Sequence, residues 1–556
     1  MRHLQSSAYV VTVWADALSI NQVDDIEKAH QIRRMHDIYS RAQSTVVWLG
    51  PEADGSDMAM KVLLRTGSEA RELGLLDHTA LALNNGFQNR DPEFQGLRSM
   101  IDEIGWLYPF KAVRKLFERP YWSRLWVLQE YALATKIEVR CGTNIIDGDQ
   151  FNAGYLLLPM LQESLMESAR DADFFEPVQA GADYEVDTNQ DGYPVSRLEH
   201  FFNNTLIAER AGNLVEARNL YESWQIKADV TPQERLCILL ERTNTERGHS
   251  VPTLGVQNPK DRVFGLLGLL GPGVELGFAI DYEVSDEELY TGVARWLLSY
   301  GQMSLLSYTR FRHAIPSWTP NWKGRVRAPN MTKGLFKPSA SHSGHARPMG
   351  YDIIQFRGLL LDTVTWYGDC WQATNYNRAD PDFSWENAER FLAEVETTMA
   401  AQPNVPPMLP GMSREQWQEG AWRIPVADQS TNDSGMRIRA TGAAKAGWEA
   451  MKLGEAPHTV WDRGLGKSAL GLYVIAMGRL RGRRLAGTSQ GLVGLMTANV
   501  ETGDIVAIIV GAESPMLLRP ASEGGAYKIV GECYVYGIMD GEMIGTDTVF
   551  THIDVC

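Results

Sequence analysis

Residues 9–14 read YVVTVW, residues 24–42 read DDIEKAHQIRRMHDIYSRA, and residues 45–49 read TVVWL before Gly50-Pro51. The first and last stretches are rich in β-branched and aromatic residues, which predicts two strands. Between them Asp24-x-x-Glu27 has the form of a helix start. Ile26, Ala29, Ile32, Met35, Ile38 and Ala42 recur every three or four residues and predict one apolar helical stripe. Strand, helix and strand at this spacing make a βαβ unit, whose strands are expected to run parallel with a right-handed crossover.

Outward from this unit, helices are expected near residues 58–65 and 121–135, with a further strand at 137–141. Residues 1–145 therefore read as a doubly wound α/β domain. Residues 146–345 read as mainly helical, with helical periodicity at 198–207, 214–224, 232–242 and 285–300. This region holds an acidic insert at 163–191 and a basic linker after Trp322. Residues 346–556 read as β-rich with helical insertions, because short strands at 491–496, 504–510, 516–519 and 527–536 alternate with glycine-containing turns. That spacing suits a small barrel or curled sheet.

The whole chain has 556 residues and a net charge of −16, from 53 basic and 69 acidic side chains. An excess of acid argues against a broad nucleic-acid-binding face. No apolar run is long enough to suggest a membrane span. Five scattered cysteines, never in a C-x-x-C pair, argue against a disulfide framework or a zinc site and fit a reducing, cytoplasmic setting. His30 and His36 lie six apart on the predicted helix and do not share a face, so no metal site is expected. The stretch from Asp187 to Gly192 opens like a calcium loop, but its twelfth position is Leu198 rather than an acid. Gly466-Lys467-Ser468 imitates a phosphate-binding loop whose leading glycine would have to stand at Trp461.

Three ordered blocks carry more information. They are VWADALSINQ (13–22), QIRRMHDIYSRAQSTVVWLG (31–50) and RPYWSRLWVLQEYALATKIEVRCG (119–142). Together they resemble the fungal heterokaryon incompatibility (HET) domain: Trp-x-Asp, then Ile-Asn-Gln, a helix with Ile-Tyr, a strand ending Trp-Leu-Gly, and Arg-x-Trp-x-x-Arg-x-Trp-x-x-Gln-Glu. Ser19 stands where the family usually has cysteine. Downstream, DRVFGLLG (261–268) and PSWTPNW (316–322) are similar to blocks that follow HET domains, and residues 503–541 resemble the C-terminal block of the same proteins. The Ser-Tyr-x-Trp-Gly block that opens such domains is not found before Tyr9, so an N-terminally truncated HET domain is expected.

The resemblance implies a protein of fungal non-self recognition and regulated cell death, acting with protein partners of that pathway or as a homo-oligomer. It also implies a TIR-like parallel sheet, and some TIR domains cleave NAD⁺. On that footing Glu130, at i+4 from Trp126, is the candidate catalytic carboxylate, and Asp16, Asn21, Gln22 and Trp126 are candidate ligand contacts, with NAD⁺ as substrate. A second reading stays open: Glu130 pairs with Arg124 or Arg119, Trp122 and Trp126 are core, and Asp16 is an N-cap or loop hydrogen-bonding residue. A third outcome is an inactive paralogue.

Overall fold

The computed structural model describes residues 12–76, 95–168, 209–226, 229–246, 254–309, 315–324, 326–327, 329–331, 333–371, 385–432, 436–454, 468–521 and 525–556. The calcium-like loop, Gly466-Lys467, the helix expected at 198–207, residues 9–11 of the first expected strand and most of the acidic insert lie outside them. By compactness the chain divides into Met1–Glu275 with Ala279–Ser285, and Leu276–Phe278 with Asp286–Cys556.

In the first unit, residues 12–15 form no strand. The chain enters a single helical turn, α1 (Asp16–Ser19), then α2 (Asp25–Ile32) and α3 (Met35–Arg41). Asp24 caps α2 by accepting from the backbone N–H groups of Ile26 and Glu27, both at 3.0 Å. Glu27 does not close the capping box; its Oε1 accepts from the N–H of Asn21 instead. The single stripe expected over 26–42 is broken at Arg33-Arg34, and Ile26 is 81% exposed, so only its later members, Ile32 and Met35, are buried.

β1 (Thr45–Trp48) pairs parallel with β2 (Ile137–Cys141), in register from Thr45 opposite Ile137 to Trp48 opposite Arg140. β3 (Asn144–Asp147) then folds back antiparallel on β2 through Gly142, whose φ of +57° suits a residue without Cβ. The three-stranded sheet is therefore mixed, where an all-parallel one was expected. A hairpin of two linking residues adds an antiparallel edge at little loop cost, which a parallel neighbour cannot do.

The helix expected over 121–135 is interrupted. Residues Pro120–Ser123 form a 3₁₀ turn and the α-helix proper, α4, spans Val127–Ala132. Between them Arg124 is extended and pairs with Gly255, with the Leu125 N–H donating to the Gly255 carbonyl at 3.0 Å. A long-range strand-like contact has overridden local helix propensity. Trp122 is wholly buried, stacks on Phe151 with centroids 5.4 Å apart, and donates from its indole to the Leu116 carbonyl.

The second unit holds the helix Asp286–Ser299 and a β-barrel-like sheet. Its centre is β4 (Ile354–Cys370), seventeen residues long. The others are β5 (Arg483–Thr488), β6 (Val493–Thr497), β7 (Ile505–Ile509), β8 (Met516–Pro520), β9 (Tyr527–Glu532), β10 (Tyr534–Val535) and β11 (Thr551–Val555). One end of β4 pairs with β11, its middle with β7 and its far end with β5. The ring β4-β7-β8-β9-β11 closes on itself, leaving no open edge within it. The helices Trp385–Ala401, Gly442–Lys452 and Ala469–Arg479 contribute to its apolar core through Phe391, Val395, Met451, Tyr473 and Met477. Among the described residues no helix is long and apolar enough to cross a membrane, and all five cysteines are free.

Candidate functional site

The first unit contains a cavity of about 530 Å³ whose wall includes Asp16, Gln22, Tyr39, Arg124, Trp126, Glu130 and Asp261. Four of the five predicted site residues, Asp16, Gln22, Trp126 and Glu130, thus meet at one concave surface. Asn21 does not line it: its side chain accepts from the N–H of Val23 and its own N–H donates to Glu27.

Short-range structure explains these placements. The Asp16 Oδ1 accepts from the Ala17 N–H at 2.7 Å, which fixes the carboxylate at the start of α1. Its Oδ2 lies 3.9 Å from the Arg124 guanidinium, and both side chains are about half exposed. Gln22 folds back to donate to the Asp16 carbonyl at 3.1 Å. Trp126, the N-cap of α4, stands four residues before Glu130 in helical conformation, and both side chains line the cavity. Tyr39 reaches the same space from α3, with Trp14 packed edge-on against its ring at 5.6 Å.

Glu130 is the electrostatic anomaly of the site. Burial, reinforced by the charge of Asp16, pushes its carboxyl up to about 7, while Arg124 and the Tyr121 hydroxyl act in the opposite sense. Of the two arginines proposed as structural partners, Arg119 is engaged elsewhere, while Arg124 acts on Glu130 through its charge. Arg119 donates to the carbonyls of Pro51 and Ala53 and lies 3.8 Å from Asp54, and the ion pair of Arg124 is the one with Asp16. Burial also raises Tyr39 and Tyr121, both of which feel the Glu130 charge, so these phenols stay protonated.

Lys28, Tyr39, Asp261 and Tyr282 also line the cavity, and sequence reasoning gave none of them a role at the site. Asp261 opens the DRVFGLLG block, whose packing is now clear. Gly268 packs closely on α4: a Cβ there would sit 2.2 Å from the Gln129 Oε1, so the Gln129 side chain would have to shift. The same Gln129, buried, donates to the Phe264 carbonyl at 3.4 Å, and His36 bonds the Gly268 carbonyl at 3.0 Å. The block is thus locked onto both α3 and α4. A buried aspartate at the head of an apolar octapeptide was the available signal, since such a charge has to be justified by its partners.

A pocket with three carboxylates, two cations and aromatic walls can hold a polar, ring-bearing ligand. A carboxylate that titrates near neutrality can accept hydrogen bonds from hydroxyls and stabilise a developing cation. Among the described residues no group of three or more potential metal ligands is found.

Comparison with known proteins agrees with the blocks in the sequence. Residues 1–130 match the heterokaryon incompatibility protein (HET) family, and residues 441–549 match the Het-6 beta-barrel domain. Heterokaryon incompatibility protein 6, OR allele, of Neurospora crassa is 25% identical over 620 aligned positions, covering 98% of this chain and 84% of that protein. No solved structure matches. Two separate family matches, in the same chain as the ordered N-terminal blocks and the closed C-terminal barrel, make this a HET domain-containing protein, similar along its length to heterokaryon incompatibility protein 6.

Proposed function

We propose that the protein serves fungal non-self recognition leading to regulated cell death, in the cytoplasm, and that its HET domain acts through the cavity around Glu130. Residues 1–145 are read as that domain, with a TIR-like ancestry, 146–345 as a helical connector, and 346–556 as the β-rich partner domain. The observation that carries the proposal is the convergence of Asp16, Gln22, Trp126 and Glu130 on one cavity, with Glu130 held near neutrality.

The chemistry this suits is cleavage of NAD⁺ at the nicotinamide–ribose bond. The C–N bond breaks with both electrons leaving on nicotinamide, which departs neutral from a cationic ring and needs no general acid. Water adds to the anomeric carbon and its proton passes to solvent or a carboxylate. Ionised Glu130 would accept from ribose hydroxyls and stabilise the oxocarbenium-like transition state. Trp126 and Tyr39 would supply flat apolar walls. The test is expression of the full chain and its Glu130→Gln variant, with NAD⁺ and viability followed together. Loss of NAD⁺ with wild type and not with the variant is expected; equal toxicity with intact NAD⁺ in both would exclude the reaction.

A second reading, a non-catalytic module that assembles with protein partners or with itself, is favoured by a different observation. Leu18, Val23 and Ile26, on the segment that supplies Asp16 and Gln22, are 72%, 89% and 81% exposed. Three large apolar side chains within nine residues make a candidate contact surface. Toxicity that survives Glu130→Gln but is lost on Val23→Asp would select this reading.

A further inference from the structure

The HET family match ends at residue 130, but the cavity does not: Gly255, Gln257, Asn258, Asp261 and Tyr282 supply part of its wall. We infer that Gly255 is the positioning residue for Arg124: its backbone, bonded to Ser123 and Leu125, holds the Arg124 guanidinium in the cavity wall beside Asp16. The segment that begins at Leu254 then completes a site the HET segment only begins.

The stretch from Tyr121 to Thr135 reads as one helix. In an unbroken helix Arg124 and Glu130, six residues apart, would point about 120° away from each other. In the folded chain both line the cavity, because Arg124 is extended, with φ −93° and ψ 135°, and the α-helix begins only at Val127. That break is imposed from Gly255. Its N–H donates to the Ser123 carbonyl at 2.5 Å and its carbonyl accepts from the Leu125 N–H at 3.0 Å, so it is bonded on both sides of Arg124. The approach is close: a Cβ at position 255 would lie 3.2 Å from the Ser123 carbonyl oxygen, tighter than ordinary contact. Both flanks of the bridge are anchored. Leu254 is 1% exposed and its carbonyl accepts from the Arg262 Nη1 at 2.5 Å. Leu125 is wholly buried and packs on Gly265, where a Cβ would meet its side chain at 3.1 Å. The Arg124 side chain itself is 52% exposed and its ion pair with Asp16 is long, at 3.9 Å. Neither packing nor that pair fixes its direction, so the backbone does. The placement matters because the Arg124 charge opposes the burial that pushes Glu130 up.

The inference rests on the cavity proposed above as the working site, but not on its substrate, and two measurements on the full chain test it without NAD⁺. Gly255→Pro removes the N–H that bonds Ser123. With ¹³C-labelled arginine, the Arg124 backbone signals are identified by their loss in Arg124→Gln. Their Cα and Cβ shifts are expected at extended values in the wild type and displaced toward helical values in Gly255→Pro. Shifts that stay extended in the variant overturn the proposal. The second measurement is the titration midpoint of the Glu130 carboxyl. Arg124→Gln is expected to raise it by at least about 0.5 pH unit, because a favourable charge is lost. Gly255→Pro is expected to raise it too, and the double variant no further than Arg124→Gln, because both act through one guanidinium. A cavity merely loosened by the proline would hydrate Glu130 and lower the midpoint instead. A fall, or additive rises, therefore overturns the positioning role, and a midpoint unmoved by Arg124→Gln overturns the placement of Arg124 at this carboxyl. Should Gly255→Pro not fold, Gly255→Val, whose branched side chain crowds the Ser123 carbonyl, is read by the same criteria. NAD⁺ left intact by the wild type would overturn the substrate assignment alone and leave both results standing.

Discussion

Buried charges occur in both units of the chain, and the two sets are treated differently. In the barrel unit Arg483 and Glu532 are 3% and 0% exposed and lie 2.6 Å apart. Asn330 completes the pair, accepting from both the Nε and Nη2 of Arg483 and donating its N–H to Glu532. Buried Asp504 accepts from Arg519 at 2.8 Å, and Asp428 is clasped between Arg423 and Arg439. Even Asp362, with burial against it, is held below the usual carboxylate range by the Ser489 hydroxyl and by the N–H groups of Gln490 and Thr363. In the cavity of the first unit, by contrast, Glu130 is pushed up toward neutrality and its nearest anion, Asp16, adds to the push. The buried charges of the barrel unit are matched by opposite charges or by several donors within it. A carboxyl group pushed toward neutrality beside a cavity is a candidate for a functional role.

This contrast can be broken by experiment. The largest effect is expected in the barrel, where Glu532→Ala leaves Arg483 buried without its partner. A stability loss of about 3–5 kcal/mol is expected, read as a lowered denaturant midpoint with an unchanged slope. A loss below about 1 kcal/mol would show that the pair does not carry the fold and would erase the distinction.

Glu130→Gln should have the opposite sign. Its folded-state proton affinity is raised from 4.5 to about 7, so the folded protein binds more protons than the unfolded chain between those values. Stability due to this group is present at low pH, falls as pH rises through that window, and levels off above it. The glutamine variant should thus be more stable than wild type by about 1–3 kcal/mol at pH 8, with the difference shrinking toward pH 5. Urea melts at both pH values read this directly, and a variant less stable at pH 8 would place Glu130 among the structural charges.

The smallest effect concerns Asp16 and Arg124, half exposed and 3.9 Å apart. A double-mutant cycle with Asp16→Asn and Arg124→Gln should give a coupling below about 1 kcal/mol for folding. A coupling of about 2 kcal/mol or more would make the pair a structural clasp like those of the barrel.

How much of this was legible in the chain follows from which interactions are local. β1 and β2 were readable because TVVWL and IEVRC are runs of strand-forming residues, and the helix near 285–300 because its stripe is amphipathic; it lies at Asp286–Ser299. The break at Arg124 was not readable, since it is imposed by Gly255, more than a hundred residues away. Ile26 fits the helical stripe by spacing yet faces solvent, because α2 and α3 are separate helices with different buried faces. Barrel strands announced themselves through glycine turns, but the threefold pairing of β4 is a property of closure rather than of any local run. At the site, Asp16, Gln22, Trp126 and Glu130 came from resemblance to family blocks. Asp261 was quoted in a family block but given no role at the site, and Tyr282 was not quoted at all, because only the folded chain brings them to the cavity.

The account turns on the state of one carboxyl group. A ¹³C titration of glutamate side-chain carboxyls in the full chain, with the Glu130 signal identified by its loss in Glu130→Gln, measures it directly. A midpoint near 7 is predicted; a midpoint at or below the ordinary glutamate value of about 4.3 would mean that the cavity stabilises the ionised Glu130 as the barrel unit stabilises its buried carboxylates, and would contradict the contrast between the two units.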